Sequence, residues 1–158
     1  MALTTNKNFL SPVGFSFKID NTNFPNLEYF CTAVTLPGVS LGDVPVPYKG
    51  VNLAFTGDRI GFEDLAVRFN ITENMENYIE TFNWLNNVAT KKDADSTTYK
   101  FDAILSILSS HNNVNKEIAF SGVFPVSLSA VEFNTQTTDI EYAQADLVLK
   151  YTSFEFRT

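Results

Sequence analysis

The sequence predicts a mainly β protein that folds as a single domain over residues 1–158, with one covering helix. Three observations lead to this fold class. Alternating apolar residues recur along most of the chain, whereas only one segment has the spacing of an amphipathic helix. Aromatic residues make up 14% of the chain, with 15 Phe, while charged residues make up only 18%. No linker or internal repeat divides the sequence.

Six segments are predicted to form strands: VGFSFKID, FEDLAVRFNIT, YKFDAILSILSS, KEIAFSGVF, VSLSAVEF and QADLVLKYTSFEFRT. YKFDAILSILSS is apolar on both faces, as expected of a strand that is covered on both sides. VSLSAVEF shifts its apolar face between Leu128 and Val131, which predicts a bulge or a bend there. The last segment also shifts, so it is predicted to be one long, bent strand. Such strands are typical of barrels and sandwiches.

Residues 74–90 are predicted to form the helix, followed by an exposed loop at TKKDADSTT. An apolar stripe with helical spacing should face the core; it consists of Met75, Tyr78, Ile79, Phe82, Leu85 and Ala89. Asn74 is the predicted N-cap. Trp84 falls away from this stripe, so it should either lie across the helix flank or face a partner.

Residues 36–52, LPGVSLGDVPVPYKGVN, contain three of the six prolines and three of the seven glycines. Pro45 and Pro47 cannot lie in a central strand, because each removes a hydrogen-bond donor from the ladder. Two interpretations remain open. The segment is an edge strand or extended loop, or it is an arm that lies on a neighbouring subunit through Val39, Leu41, Val44, Val46 and Tyr48.

The charge and cysteine content exclude several classes of protein. The net charge of −7 argues against a protein that grips nucleic acid, which needs clustered Lys and Arg. A single cysteine, Cys31, excludes an intrachain disulfide, and its alternating context LEYFCTAVTL predicts a strand with a small buried thiol. No segment approaches the ~20 apolar residues of a membrane span, and the first residues do not resemble a signal peptide. The sequence therefore predicts a chain made in the cytoplasm, with no membrane partner.

The residues that catalysis would need are missing from the sequence pattern. His111, the only histidine, lies in the polar segment SSHNNVN and is predicted to be a solvated turn residue. Glu63 and Asp64 are predicted to be strand neighbours that point to opposite faces, which argues against a carboxylate pair. No nucleotide or calcium motif is present. We therefore predict that the chain has no catalytic, cofactor-binding or metal-binding residues and that it is not an enzyme.

The segment FTGDRIGFEDLAVRF is predicted to be a charged turn that leads into a strand. Within it, Asp58 and Arg59 either pair locally or contact a neighbouring subunit, and exposed pairs of this kind contribute little stability by themselves.

The order of several segments resembles the tail-tube proteins of contractile-tailed bacteriophages. These segments are FCTAVTLPG, VPV, FTGDRIGFEDLAVRF, a helix with FNWL, KEIAFSGVFPVSLSAVEF and AQADLVLKYTSFEF. The likeness runs from about Phe15 to Phe156. Its strongest anchors are Leu36-Pro37-Gly38, Gly57-Asp58-Arg59, Trp84, the turn from Gly122 to Pro125, and Tyr151.

The resemblance implies a mainly β fold of two packed antiparallel sheets that form a barrel-like sandwich, with one flanking α-helix and a long protruding hairpin loop at residues 36–52. It implies hexameric rings that stack into the inner tube of a contractile tail, with the sheath, baseplate and tail terminator proteins as partners, in the virion. Phage DNA would pass through without specific binding. An acidic channel lining would repel phosphate, and Asp102, Asp139, Glu141 and Asp146 are the candidate acids.

Two other roles remain open. The chain could start the tube at the baseplate or form the tube of a phage-like bacteriocin or secretion system. The competing class is a monomeric β-barrel that binds a small apolar ligand, which the Phe-rich composition would suit.

Overall fold

The computed structural model describes residues 4–19, 24–90, 99–139 and 141–157. Within these ranges the chain forms nine strands and two helices: β1 (Phe15–Lys18), α1 (Pro25–Phe30), β2 (Cys31–Thr35), β3 (Val39–Tyr48), β4 (Val51–Phe62), β5 (Leu65–Asn70), α2 (Glu76–Thr90), β6 (Phe101–Leu108), β7 (Val114–Leu128), β8 (Gln144–Lys150) and β9 (Ser153–Arg157). Seven strands form one antiparallel sheet in the order β1-β6-β7-β8-β5-β2, with β9 also paired to β7, while β3 and β4 form a second sheet. The prediction of a mainly β chain with two antiparallel sheets is confirmed, while the packing of two sheets into a barrel-like sandwich stays a prediction.

The long strand β7 joins the two halves of the larger sheet. Its first half pairs with β6 and β9, and its second half pairs with β8. The change of partner falls at Gly122, whose φ is +67°. Opposite this point the chain turns from β8 into β9, where the Thr152 backbone N–H donates to the Ser121 carbonyl at 2.9 Å. The prediction of one long closing strand is wrong, because this corner divides it into two.

The core follows the predicted alternation of the strands. Every second residue of β5 and β8 is buried, as are facing residues of β6 and β7; the set includes Leu65, Val67, Phe69, Ala103, Leu105, Ile118, Phe120, Ala145, Leu147 and Leu149. Burial of Ser106 as well as Leu105 confirms that β6 is covered on both faces. The bulge predicted between Leu128 and Val131 is wrong: β7 ends at Leu128, and its register shift lies between Pro125 and Ser127.

Helix α2 packs on the core through a different face from the one predicted. Its buried residues are Asn77, Thr81 and Trp84, whereas Ile79 and Phe82 are 49% and 52% exposed. The Asn77 amide explains this rotation, because Nδ2 donates to the Asn70 carbonyl at 2.6 Å and Oδ1 accepts from the Tyr78 backbone N–H. A polar side chain whose hydrogen bonds are satisfied can be buried at little cost.

The start of α2 also differs from the prediction. Asn74 is not the cap: the Glu76 backbone N–H donates to Thr72 Oγ1 at 3.0 Å, and Met75 adopts a left-handed φ of 56°. The exposed loop was predicted at TKKDADSTT, and residues 91–98 of this segment lie outside the described residues. The predicted end of the first strand, Asp20, also lies outside them.

A second, short helix was not expected from the sequence. The first part of LEYFCTAVTL lies in α1, which begins with Pro25 in its first turn. Leu27 is buried, but Tyr29 is exposed, so the predicted strand is wrong for the first part of this segment. Cys31 begins β2 and packs against the core in a partly buried position.

Candidate assembly surface

Strands β3 and β4 form an exposed hairpin. All ten residues of β3 are exposed, including Pro45 and Pro47. Lys49 and Gly50 both have positive φ, 47° and 80°, at the two-residue connection, which is the geometry of a type I′ turn. The hairpin is longer than residues 36–52, because its second strand continues to Phe62.

The outer half of the hairpin carries an apolar face. Three cross-strand pairs form it, Val44 with Phe55, Val46 with Leu53, and Tyr48 with Val51. Residues directly opposite each other in an antiparallel pair place their side chains on the same face. All six side chains are between 40% and 62% exposed. Nearer the base, Val39 lies opposite Phe62 and Leu41 opposite Ile60.

The base of the hairpin is hydrogen-bonded to the body. The Glu63 backbone N–H donates to the Gly38 carbonyl at 3.0 Å, and the Gly38 N–H donates to Glu63 Oε2 at 3.2 Å. The Tyr151 hydroxyl donates to the Glu63 carbonyl at 2.9 Å. Burial, and then the charges of Asp64 and Glu63, raise the pKa of Tyr151, which keeps this donor protonated. Glu63 and Asp64 lie between β4 and β5 and not on a strand as predicted.

Asp58 and Arg59 lie inside β4, so their predicted position in a turn is wrong. Leu41 pairs with Ile60 and Asp43 pairs with Thr56, which leaves residues 57–59 as a bulge opposite Gly42. A side chain at Gly57 would collide with the Gly42 backbone, so the bulge needs glycine there. Asp58 and Arg59 are exposed, and neither forms an ion pair with a described residue of the chain. The local pair that the sequence suggested is therefore not formed.

Trp84 does not lie on the exposed surface of the chain. It is 3% exposed, its ring lies 4.6 Å from that of Phe24 and 5.6 Å from that of Phe101, and its Nε1–H donates to the Tyr99 carbonyl at 2.9 Å. The expectation that Trp84 lies away from the core is therefore wrong, and its contact with a partner stays a prediction. Two residues of the predicted core stripe, Ile79 and Phe82, are instead exposed on α2.

The four candidate lumen acids are all exposed, but their surroundings differ. Asp146 on β8 pairs with Arg68 on β5, with 2.7 Å between Asp146 Oδ1 and Arg68 Nε. The hydrogen bond to Asp146, and then its charge, raise the pKa of Arg68. Asp102 on β6 accepts a hydrogen bond from the Gly122 N–H at 3.4 Å, while Asp139 and Glu141 precede β8. Their orientation toward a channel stays a prediction.

The positions of the remaining reactive side chains do not suggest catalysis. His111 is exposed in the turn after β6, where its backbone N–H donates to Ser109 Oγ at 3.3 Å. Burial raises the pKa of the Cys31 thiol to about 11, so little thiolate forms at neutral pH. Among the described residues, no three His, Cys, Asp or Glu side chains are grouped as a metal site would need.

Neither of the two described helices is long and apolar enough to cross a membrane.

These features define a β-rich protein with an exposed apolar hairpin. The profile of the phage tail tube protein family matches residues 2–157, and the chain belongs to this family. The family resemblance in the sequence is thereby confirmed, and with it the placement in the phage tail.

Individual relatives agree with this assignment. The tail tube protein of Serratia phage KSP90 is 31% identical over 121 residues, which cover 73% of this chain and 66% of that protein, just under two thirds of its length. The fold is similar to that of a chain in the extended sheath-tube complex of the PVC extracellular contractile injection system, with a TM-score of 0.70, 13% identity and 99% of both chains covered. It is equally similar to the tube-terminating cap of the anti-feeding prophage, with a TM-score of 0.70, 13% identity and 99% and 96% of the two chains covered.

Proposed function

We propose that this chain is a structural protein and not an enzyme, and that six copies form a ring. Rings stack into the inner tube of a contractile phage tail, where the larger sheets of the six copies join into a barrel around a channel for DNA. The sheath, baseplate and terminator proteins are its partners in the tail. The observation that carries the proposal is the family match over residues 2–157.

The hairpin is the surface that we assign to contacts between copies. Apolar side chains that are about half exposed on one face of a two-stranded sheet are unusual in a protein that stays alone. If a neighbouring copy covered the exposed half of each of these six side chains, the burial would contribute roughly 1 kcal/mol per side chain to the free energy of association. Part of that gain is offset by the entropy lost on association. One hairpin is therefore a weak contact, and repetition around a ring would make it strong.

A role as a ring that starts or ends the tube is the second candidate. The fold is shared with the cap and also with the baseplate structure of the anti-feeding prophage, the latter with a TM-score of 0.63. The two roles differ in their products, because a tube protein forms long polymers whereas an initiator forms single rings. A ligand-binding barrel would form neither.

Electron microscopy and sedimentation of the concentrated protein test the proposal. The informative variant joins Gly38 directly to Glu63 and omits residues 39–62, since the backbones of these two residues are already hydrogen-bonded. We expect it to keep β-type circular dichroism and cooperative melting but to form no tubes.

A milder variant, Val46→Ser with Leu53→Ser, removes one apolar pair, and Ala54→Ser on the other hairpin face is its control. Tubes of normal length from the deletion variant would contradict the hairpin assignment. A parent protein that stays monomeric at every concentration, with or without a tail baseplate, would contradict the tube itself.

A further inference from the structure

The two halves of the larger sheet differ in how their faces are covered. Leu105 and Ser106 are neighbours on β6, so their side chains point to opposite faces, and both are buried. Ile118 and Ala119 on β7 are buried in the same way. In the other half, residues of β5 and β8 alternate between buried and solvent-accessible positions, and the buried ones pack on the core together with residues of α1 and α2. The opposite face of β5 and β8 is therefore open, and we call it the open face.

Polar side chains on the open face are paired across the two strands. Arg68 on β5 lies opposite Asp146 on β8, and Asn70 lies opposite Gln144. Arg68 Nε donates to Asp146 Oδ1 at 2.7 Å, and Nη2 donates to Oδ2 at 3.4 Å. Gln144 Nε2 donates to Asn70 Oδ1 at 3.0 Å. The Asp146 carboxylate thus occupies N–H groups with which a guanidinium group binds an anion.

One other charged residue of β5 and β8 lies on the open face. Lys150, at the end of β8, shares a small cleft with Glu63 and Asp64, so it lies beside negative charge. Arg68 is the one arginine of these two strands, and among the described residues its ion pair is with Asp146. The state of Arg68 therefore decides whether the open face can bind an anion through a guanidinium group.

We propose that the open face lines the DNA channel and that Asp146 masks Arg68 there, so that the channel does not grip DNA phosphates. The inference rests on the proposed tube. A barrel with an open channel has no room inside it for the helices and the core. The covered face of each sheet then lies outside and the open face lies inside. Six copies place six Arg68 side chains at one height of the channel.

The mask follows from the chemistry of the two anions. A guanidinium group binds a carboxylate and a phosphate through the same fork of N–H groups. A passing phosphate would have to displace Asp146, and this exchange gains no hydrogen bond and leaves a carboxylate beside the phosphate. Without Asp146, six free guanidinium groups would form a ring that attracts DNA electrostatically.

Asp146→Asn tests the mask in the full-length protein. The amide keeps the shape of the side chain, and the backbone hydrogen bonds between residues 146 and 129 remain. The variant should melt like the parent, because an exposed ion pair contributes little stability, and it should form tubes.

Tubes are mixed with a short labelled DNA duplex at low salt and sedimented, and the retained label is measured. Asp146→Asn tubes should retain at least about tenfold more label than parent tubes. Retention should fall as salt is added, since two phosphate contacts lose roughly tenfold in affinity between about 50 and 200 mM salt.

Two controls separate the arginine from the change in charge. Arg68→Gln combined with Asp146→Asn loses one charge of each sign, keeps the net charge of the parent, and should retain no more DNA than the parent. Glu155→Gln makes the same charge change as Asp146→Asn and frees Arg157, which pairs with Glu155 at 2.8 Å on β9, in the other half of the sheet. It should also retain no more than the parent.

Asp146→Asn tubes that retain no more DNA than parent tubes would overturn the mask and leave the tube intact. Equal retention by the double variant would assign the effect to lost negative charge, and equal retention by Glu155→Gln would remove the open face as its cause; either result overturns the inference. An Asp146→Asn protein that melts well below the parent, or forms no tubes, would assign the pair to folding or subunit contact and overturn the mask. A parent that never assembles would instead overturn the proposed function.

Discussion

Replacing Trp84 with alanine should destabilise the monomer strongly. The side chain is 3% exposed, stacks with Phe24 and Phe101, and donates its indole N–H to the Tyr99 carbonyl. Truncating a buried tryptophan removes its transfer free energy and leaves a cavity, which together cost about 3–5 kcal/mol. A domain of this kind has a total stability of about 5–15 kcal/mol, so the loss is a large share of it.

The melting temperature gives a direct measure of this loss. For a domain of about 150 residues or more, each 1 kcal/mol lowers Tm by about 2–4 °C, so Trp84→Ala should lower it by roughly 6–20 °C. Far-UV circular dichroism is the appropriate signal, because the variant has no tryptophan left. The melting temperature should be measured below the protein concentration at which the chain assembles, so that contacts between copies do not contribute to stability.

Two matched variants separate burial from the hydrogen bond. Trp84→Phe keeps an aromatic ring in the stack and loses the indole donor, so it should cost about 1–2 kcal/mol. Phe82→Ala removes a large ring from the same helix at a position that is 52% exposed, and should cost less than about 1 kcal/mol. If Trp84→Ala melts within 2 °C of the parent, or if Phe82→Ala is the more damaging change, the described packing of α2 is wrong.

Two further predictions concern charge and the thiol. The protein should show no binding to duplex DNA at low salt, where nonspecific attraction is strongest, because its net charge is −7; salt-sensitive binding in the micromolar range would contradict an acidic channel. Cys31 should react with iodoacetamide at pH 8 roughly 100-fold more slowly in the native protein than in urea, because burial raises its thiol pKa from 9.0 to about 11 and only the thiolate reacts; equal rates would show that the thiol is accessible and unperturbed.

The sequence alone determined the regularly alternating strands β5 and β8 and their buried faces. Alternation in β5 and β8 leaves one arrangement that covers Leu65, Val67 and Leu147, because a strand slipped by one residue would expose all of them. Pro45 and Pro47 likewise excluded a central strand, since neither can donate to a central ladder. The order of the family segments indicated a tail-tube protein, which the family match confirms.

The tertiary structure alone decided how α2 is rotated and which side chains are free. An apolar stripe predicts the buried face of a helix only when the polar residues remain in water. Asn77 is buried instead, because its side chain is hydrogen-bonded to the backbone that precedes the helix. Trp84 is buried because it packs against two aromatic rings. These contacts join α2 to residues outside the helix, and the periodicity of the helix sequence contains no information about them. The same holds for Asp58 and Arg59: neither forms an ion pair with a described residue, because the fold brings no opposite charge among those residues close enough.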